Sequence, residues 1–232
     1  MRKSIGRKIL TMLIGFVIVF VLMLYSNIAA LGVINEYNDK LIEYMALQEM
    51  KGDFDSAFDR VRLLEKLVFY TEGSSEMDAF VKNLENAVSD MSSNMSSMAS
   101  NVEKIKDDEL SKVYKDFESS VTTFSKDSNE VLQAAKESNY ELVNDKVNNS
   151  LEKDVNLVQT SQQNLEEPLQ EKIGKCENKS ELKITGTEIF DVILTIAFLV
   201  AFALVLIIVN RSIVKPARIS GKHINQIVDS KQ

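Results

Sequence analysis

The chain has 232 residues, 45% of them hydrophobic, and a net charge of −7. It contains a single cysteine, Cys176, so an intrachain disulfide is excluded. With one histidine, His223, in the C-terminal segment beyond the second apolar run, the chain has too few ligands for a zinc site, and the two residues cannot form a Cys–His catalytic pair. Each basic end, 1–8 and 210–232, carries a net +4, whereas residues 35–188 carry a net −14. This acidic middle argues against a role in nucleic-acid binding, which needs a basic surface.

The first apolar run covers residues 9–34 and follows the basic segment 1–8. It is longer than the roughly 7–15 residues of a signal-peptide hydrophobic region, so we predict an uncleaved transmembrane helix in place of a cleaved signal. A second run, at 189–209, contains one charged residue, Asp191. At about 1.5 Å per residue this second run spans the roughly 30 Å of a bilayer core, which predicts a second transmembrane helix.

The positions of the basic residues predict the orientation of the two spans. The positive-inside rule places both basic ends in the cytoplasm, because each end flanks an apolar run. The sequence therefore predicts a two-pass protein of the cell membrane, with cytoplasmic termini at 1–8 and 210–232. Residues 35–188 then form one extracytoplasmic domain between the spans.

Within 35–188, apolar residues recur at steps of three and four in four segments, and turn signals separate them at Gly73, 106–109 and 137–139. This period predicts long helices that each bury one seam. The predicted seam of the first helix consists of Leu47, Met50, Phe54, Ala57, Val61, Leu64 and Val68. No segment alternates with period two, so the predicted fold is all-α. It is an extracytoplasmic antiparallel four-helix bundle whose first and last helices continue into the transmembrane helices.

Local signals predict where the helices begin and bend. Ser75, with Asp78 three residues later, resembles a capping box before the second helix, and Asp107 or Asp108 can cap the third. Pro168 lacks a backbone donor and clashes with the preceding turn, so we expect a kink at 164–168 and no contact of Pro168 with a ligand.

The C-terminal segment carries a more specific motif. The run SIVKPA at 212–217, followed by Ile224 and Ile227, resembles the first helix of a HAMP linker, although Ser220 stands where an apolar residue is usual. With four helices between two spans, the chain is similar to the N-terminal part of a methyl-accepting chemotaxis protein. The second HAMP helix and the methylated signalling hairpin of that family do not occur within these 232 residues.

The resemblance implies a homodimeric chemoreceptor without cofactor. An extracellular signal would displace the fourth helix, and Ile213, Pro216 and Ile227 would transmit the displacement. The chemotaxis kinase and coupling protein would bind only through a missing C-terminal region. The sensor half of a histidine kinase or diguanylate cyclase, which share this front end, is an alternative, as is a separate membrane-anchored binding subunit. The sequence contains no phosphate loop, metal spacing or nucleophile–base pair, so no enzyme activity is predicted.

The two arginines of 35–188, Arg60 and Arg62, are the candidate ligand-binding residues. Arginine binds carboxylates through a planar fork of donors, and aspartate-type chemoreceptors, which the chain resembles, use arginines at a dimer seam of the first helix. We therefore predict a site for a small anionic or amino-acid ligand, with Arg60 as the stronger candidate. The alternatives are ordinary surface ion pairs with neighbouring carboxylates and recognition of a binding protein.

The homodimer is also predicted from residues beside the first seam. Phe58, Leu67 and Phe69 flank the seam, and a single seam cannot bury them. We therefore expect a second copy of the chain to cover them.

Overall fold

The computed structural model describes residues 2–211, with side chains from residue 10 onward except residue 12. The elements, in chain order, are the helices α1 (Arg2–Tyr70), α2 (Met77–Ile105), α3 (Asp108–Lys136) and α4 (Tyr140–Asp145), a π-helical turn (Lys146–Ser150) and α5 (Leu151–Val209). Because α4, the π turn and α5 follow one another without a break, they act as one fourth helix. The described residues contain no strand, and the prediction of an all-α, four-helix chain is confirmed.

Two compact units divide the chain, one formed by Tyr37–Asn178 and the other by Met1–Glu36 with Lys179–Gln232. The unit Tyr37–Asn178 is the helical bundle, and phenylalanines of α1 and α3 occupy the centre of its core. Phe54 meets Phe117 with ring centroids 5.0 Å apart, and Phe58 meets Phe124 at 4.8 Å. Both pairs are edge-to-face contacts, which hold α1 against α3.

The buried seam of α1 confirms five of the seven predicted core residues, namely Leu47, Phe54, Val61, Leu64 and Val68, whereas Met50 and Ala57 are only half-buried. The residues that follow a strict heptad and are buried are Tyr44, Leu47, Lys51, Phe54, Phe58, Val61, Glu65 and Val68. The prediction gave Met50 and Ala57 the core positions that Lys51 and Phe58 occupy, because the charged Lys51 interrupts the apolar period of the register to which Phe58 belongs. Phe58 is 1% exposed and belongs to the core of its own chain, so it is not free to contact a second copy.

The turns between helices confirm one predicted cap and contradict the other. Asp107 caps α3, since its Oδ1 accepts hydrogen bonds from the backbone N–H groups of Glu109 and Leu110, both at 3.1 Å. The capping box at Ser75 is wrong: the residue before α2 is Glu76, whose backbone is already helical and whose side chain makes no cap. The turn instead passes through Gly73 at φ 69°, a conformation that glycine adopts without strain.

The fourth helix is irregular at the π turn, a feature that the sequence did not predict. Lys146–Ser150 forms this wider turn between α4 and α5, whereas α5 continues as helix through Pro168. The kink expected at 164–168 stays a prediction. Single π turns inside helices are frequent at functional sites, which directs attention to this part of the bundle.

The unit formed by Met1–Glu36 and Lys179–Gln232 contains the two apolar runs. By length and composition, α1 and α5 each contain a stretch able to cross a membrane. Phe16 and Phe198 lie 4.7 Å apart between ring centroids, and Asn27 Nδ2 donates to Asp191 Oδ2 at 3.2 Å. The one charged residue of the second run therefore has a polar partner on the first.

Candidate functional site

Arg60, the first candidate, lies on an open surface. Its side chain is 53% exposed and pairs at 3.5 Å with the exposed Asp90 of α2. Such exposed pairs contribute little to stability or binding because both charges remain hydrated. The shallow depression around Arg60, which includes Asp53, offers no enclosure for a ligand.

Arg62 lies in a different environment from Arg60. Its side chain is 29% exposed, its Nη1 contacts Asp59 Oδ1 at 3.2 Å, and its guanidinium carbon lies 5.6 Å from the centroid of the Phe58 ring. The cation–π contact orients the guanidinium without consuming its hydrogen-bond donors. Arg62 also lines a groove of about 290 Å³ between α1 and the fourth helix, which we call the Arg62 groove. The structure thus does not bring the two arginines into one site.

Both walls of the Arg62 groove are largely polar. The α1 wall includes Arg62, Glu65 and Lys66, and the wall from the π turn and α5 includes Asn148 and Gln159, among other residues. Cations and amide groups together can hold a small carboxylate, the cations through charge and the amides through hydrogen bonds.

Next to the groove, the core contains a polar cluster that we call the Glu65 layer: Glu65, Asp127, Ser128 and Asp154. Glu65 is 3% exposed, and Glu65 Oε1, Ser128 Oγ and Asp154 Oδ2 are buried without a hydrogen-bond partner among the described residues. Burial raises the pKa of Glu65 to about 8, and the charge of Asp127 acts in the same direction. The Ser128 hydroxyl, which lies close to the Glu65 carboxyl group although Oε1 itself has no hydrogen bond to a described residue, and the charge of Arg62 oppose this rise. Glu65 is therefore largely protonated at neutral pH.

Asp127 is the charged centre of this layer and is bonded to the π turn. Lys146 Nζ lies 3.1 Å from Asp127 Oδ1 and 2.5 Å from Glu130 Oε2, and the Ser150 hydroxyl donates to Asp127. These bonds raise the pKa of Lys146, with Glu130 as the larger cause and Asp127 as the next. Burial, and then the charge of Asp127, raise the pKa of Asp154. The π turn thus holds Asp127 beside two carboxyl groups, Glu65 and Asp154, whose pKa values are both raised.

Midway along the bundle, a second polar cluster joins α1 to α5. This Lys51 network comprises Lys51, Asp55, Gln162 and Glu166. The buried Lys51 Nζ lies 2.8 Å from Asp55 Oδ2 and 3.2 Å from Glu166 Oε2, and Gln162 Nε2 donates to Asp55 Oδ1 at 2.8 Å. Burial lowers the pKa of Lys51, but the two carboxylates outweigh it, so Lys51 stays charged.

A third cluster, the Asp107 network, comprises Tyr44, Asp107, Glu109 and Lys172. Lys172 Nζ lies 2.8 Å from Asp107 Oδ2 and 2.9 Å from Glu109 Oε2, and the Tyr44 hydroxyl donates to Asp107 Oδ2 at 3.3 Å. Burial acts to raise the pKa of Asp107, but Lys172 and the N–H of Leu110 lower it overall. Burial and the charge of Asp107 raise the pKa of Tyr44 to about 12. The α2–α3 turn is therefore bonded to both α1 and α5.

Sequence reasoning missed Glu65 and Lys51 as core residues, although a test of both heptad registers of α1 would have revealed them. The three residues assigned to signal transmission, Ile213, Pro216 and Ile227, lie outside the described residues.

Comparison of the sequence with known protein families identifies the family of the chain. Residues 2–184 match the family described as the four-helix-bundle sensory module for signal transduction, which occurs in chemoreceptors. The chain belongs to this family, and it is thus a sensory module with two helices able to span a membrane. Searches of curated proteins and of solved structures found no match.

Proposed function

We propose that the chain is the sensory and membrane-spanning portion of a bacterial chemoreceptor, which detects an extracellular signal and passes it to a cytoplasmic signalling region. The family match over residues 2–184 carries the proposal. The basic ends and the net −14 of residues 35–188 support an orientation with both termini in the cytoplasm. A small anionic molecule, an amino acid or a binding protein is the expected signal.

The proposed transmission uses a small displacement of α5 along its axis. Helix shifts of about 1–2 Å are an established switching mode, and they require contacts that differ between two positions. The Lys51–Glu166 contact of 3.2 Å and the Gln162–Asp55 bond of 2.8 Å would not survive such a shift in their present form. Ile213, Pro216 and Ile227 would receive the displacement as the start of a HAMP linker.

A homodimer in the cell membrane is the proposed assembly. Phe58 no longer supports it, nor do Leu67 and Phe69, which pack partly buried against the core of their own chain. However, α1 carries other exposed apolar residues, including Ile42, Met45, Leu63 and Tyr70, at 53–76% exposure. A second copy would cover apolar surface of this kind. The chemotaxis kinase and its coupling protein would bind through a region C-terminal to residue 232.

The function is tested by fusing residues 1–232 to the HAMP second helix and signalling hairpin of a well-characterised chemoreceptor. We expect the fusion to enter the membrane and to activate the chemotaxis kinase, as the native receptor does. A fusion that inserts and dimerises but leaves the kinase at its basal rate under every tested stimulus would refute the proposal. Tags at both ends should resist protease added to intact cells, and cleavage of either tag would refute the orientation.

A further inference from the structure

The Arg62 groove holds two cationic groups whose charges are only weakly engaged. Arg62 contacts Asp59, but the Asp59 side chain is 73% exposed, so water screens the pair. Lys66, one turn further along α1, makes no hydrogen bond or ion pair with any other described residue. Both side chains line the same groove and are free to bind an anion together.

The size and polarity of the groove limit which anions can bind in it. A volume of about 290 Å³ lies at the lower end of the roughly 300–1,000 Å³ that is typical of small-molecule pockets, so the groove fits a small ligand. The wall opposite α1 carries the amides of Asn148, Asn156 and Gln159, which add hydrogen-bonding groups, and the carboxyl group of Glu152, which can accept from a second, donating group of the ligand. The groove therefore favours a small carboxylate with a second polar group, such as a hydroxy acid or an amino acid, and all of its residues come from one chain.

Glu65 connects this groove to the core. It lines the groove, it is 3% exposed, and its Oε1 has no partner among the described residues. An unpaired charge at such a position is costly, so the carboxyl group is held in its neutral form. The charged groups that influence Glu65 are Arg62 on its own helix and Asp127 on α3, and of these only Arg62 favours its ionised form.

We propose that the Arg62 groove binds a small polar carboxylate through Arg62 and Lys66, and that binding is coupled to uptake of a proton by Glu65. The bound anion neutralises the field of Arg62, which removes the favourable influence on ionised Glu65. Glu65 then takes a proton from solvent. Because the coupling between two binding events is reciprocal, protonation of Glu65 also strengthens binding of the anion. The inference rests on the proposed function, since it supplies the ligand class and the pH response of that sensor.

The test is calorimetric titration of the full chain in detergent micelles at pH 8 with lactate, malate, glutamate and alanine. The titrations are repeated in Tris and in triethanolamine, which differ in ionisation enthalpy and carry no carboxylate. We expect at least one compound to bind, with a heat that differs between the buffers and indicates uptake of part of one proton. The affinity should fall about fivefold or more between pH 7 and pH 9.

Variants separate the two parts of the proposal. Arg62→Ala and Lys66→Ala should each weaken binding about tenfold or more, because each removes a charged hydrogen-bond donor. The matched control is Arg60→Ala, which should leave the affinity unchanged, since Arg60 pairs with Asp90 outside the groove. Glu65→Gln keeps the shape of the side chain and should retain binding while abolishing proton uptake.

Three results would overturn the inference: no compound binds, Arg62→Ala binds as tightly as the wild type, or the heats are equal in both buffers. If Glu65→Gln does not fold, Ser128→Ala replaces it, and an unchanged pH dependence in that variant counts against a role for Glu65. Failure of the groove is distinguishable from failure of the proposed function, because the kinase assay of the fusion does not depend on these compounds.

Discussion

The two ends of the bundle differ in whether their buried polar groups have partners. At the end with the α2–α3 turn, the charged groups of the Asp107 network are all paired, with distances of 2.8 and 2.9 Å to Lys172. At the end with the π turn, the Glu65 layer leaves Glu65 Oε1, Ser128 Oγ and Asp154 Oδ2 without partners among the described residues. One end is thus satisfied by its own residues, and the other is not.

This difference indicates which end can change state. A satisfied network resists rearrangement, because any movement exposes unpaired charges. A buried carboxyl group without a partner can be altered by a proton or a nearby anion, since either changes the balance between its two forms. We therefore assign anchoring to the Asp107 network and responsiveness to the Glu65 layer beside the Arg62 groove.

The largest expected effect comes from breaking the satisfied end. Asp107→Ala removes the cap of α3 and leaves Lys172 with only Glu109, so the free energy of unfolding should fall by about 3 kcal/mol. Urea unfolding of the full chain in micelles, followed by proteolysis, measures this loss. The exposed neighbour Asp108 is the control, and Asp108→Ala should change stability by less than about 0.5 kcal/mol. Equal losses in both variants would remove the special role of Asp107.

The second prediction concerns pH, to which the two ends should respond with opposite sign. The folded pKa of Glu65 is raised from 4.5 to about 8, so its stabilising effect is complete below pH 4.5 and is lost as the pH rises towards 8. Between pH 6 and pH 8 the wild type should therefore lose about 2 kcal/mol relative to Glu65→Gln. The pKa of Asp107 is lowered, so its contribution is lost only in acid, as the pH falls below 3.8.

Unfolding curves of wild type, Glu65→Gln and Asp107→Asn from about pH 2 to about pH 8 measure both responses. Parallel pH profiles for wild type and Glu65→Gln would show that Glu65 does not titrate in this window, and the contrast between the ends would fail.

A smaller effect is expected midway along the bundle, at the Lys51 network. Lys51→Met removes a buried ammonium group, but the remaining carboxylates of Asp55 and Glu166 are 38% and 54% exposed and can be hydrated. The free energy of unfolding should therefore change by about 1 kcal/mol or less. A loss of more than about 3 kcal/mol in the same urea assay would mean that Lys51 anchors α1 to α5 as firmly as Asp107 anchors the α2–α3 turn.

The sequence predicted the framework of the fold but not these polar clusters. The heptad of α1 correctly predicted Leu47, Phe54, Val61, Leu64 and Val68 as core, because all five are apolar and recur at helical spacing. Lys51 and Glu65 were missed because a charged residue counts against burial unless its partners are known. Asp55 and Arg62 lie close by on α1, but the further partners Glu166 and Asp127 lie on other helices, about 60 to 115 positions away in the chain, and no local pattern connects them.

The candidate ligand site also depends on contacts between helices that the sequence does not show. Arginine content drew attention to residues 60–62 of α1, but the choice between Arg60 and Arg62 depends on which neighbouring helix each side chain meets. Arg60 meets α2 through Asp90, whereas Arg62 lines the groove that α1 forms with α5. The π turn beside that groove also had no signal in the sequence, since Lys146–Ser150 contains neither proline nor glycine.

The last prediction asks whether the contrast between the ends extends to the proposed homodimer. In a Cys176→Ala background, single cysteines at Met45, near the Asp107 network, and at Leu63, near the Glu65 layer, should form intersubunit disulfides in membranes. Both positions are exposed, at 53% and 59%, whereas cysteines at the buried Phe54 and Phe58 should form none.

If only the Glu65 end responds to protons, raising the pH from 7 to 9 should change the cross-linking rate at Leu63 more than the rate at Met45. Thiolates react faster at high pH, so the same two cysteines are also measured in a Glu65→Gln background. That background keeps the effect of pH on the thiols but has no titrating group at position 65, so the difference between the two series reports the protonation of Glu65. Equal changes at both positions, or an unchanged response in Glu65→Gln, would show that protonation of Glu65 does not reach the surface of α1.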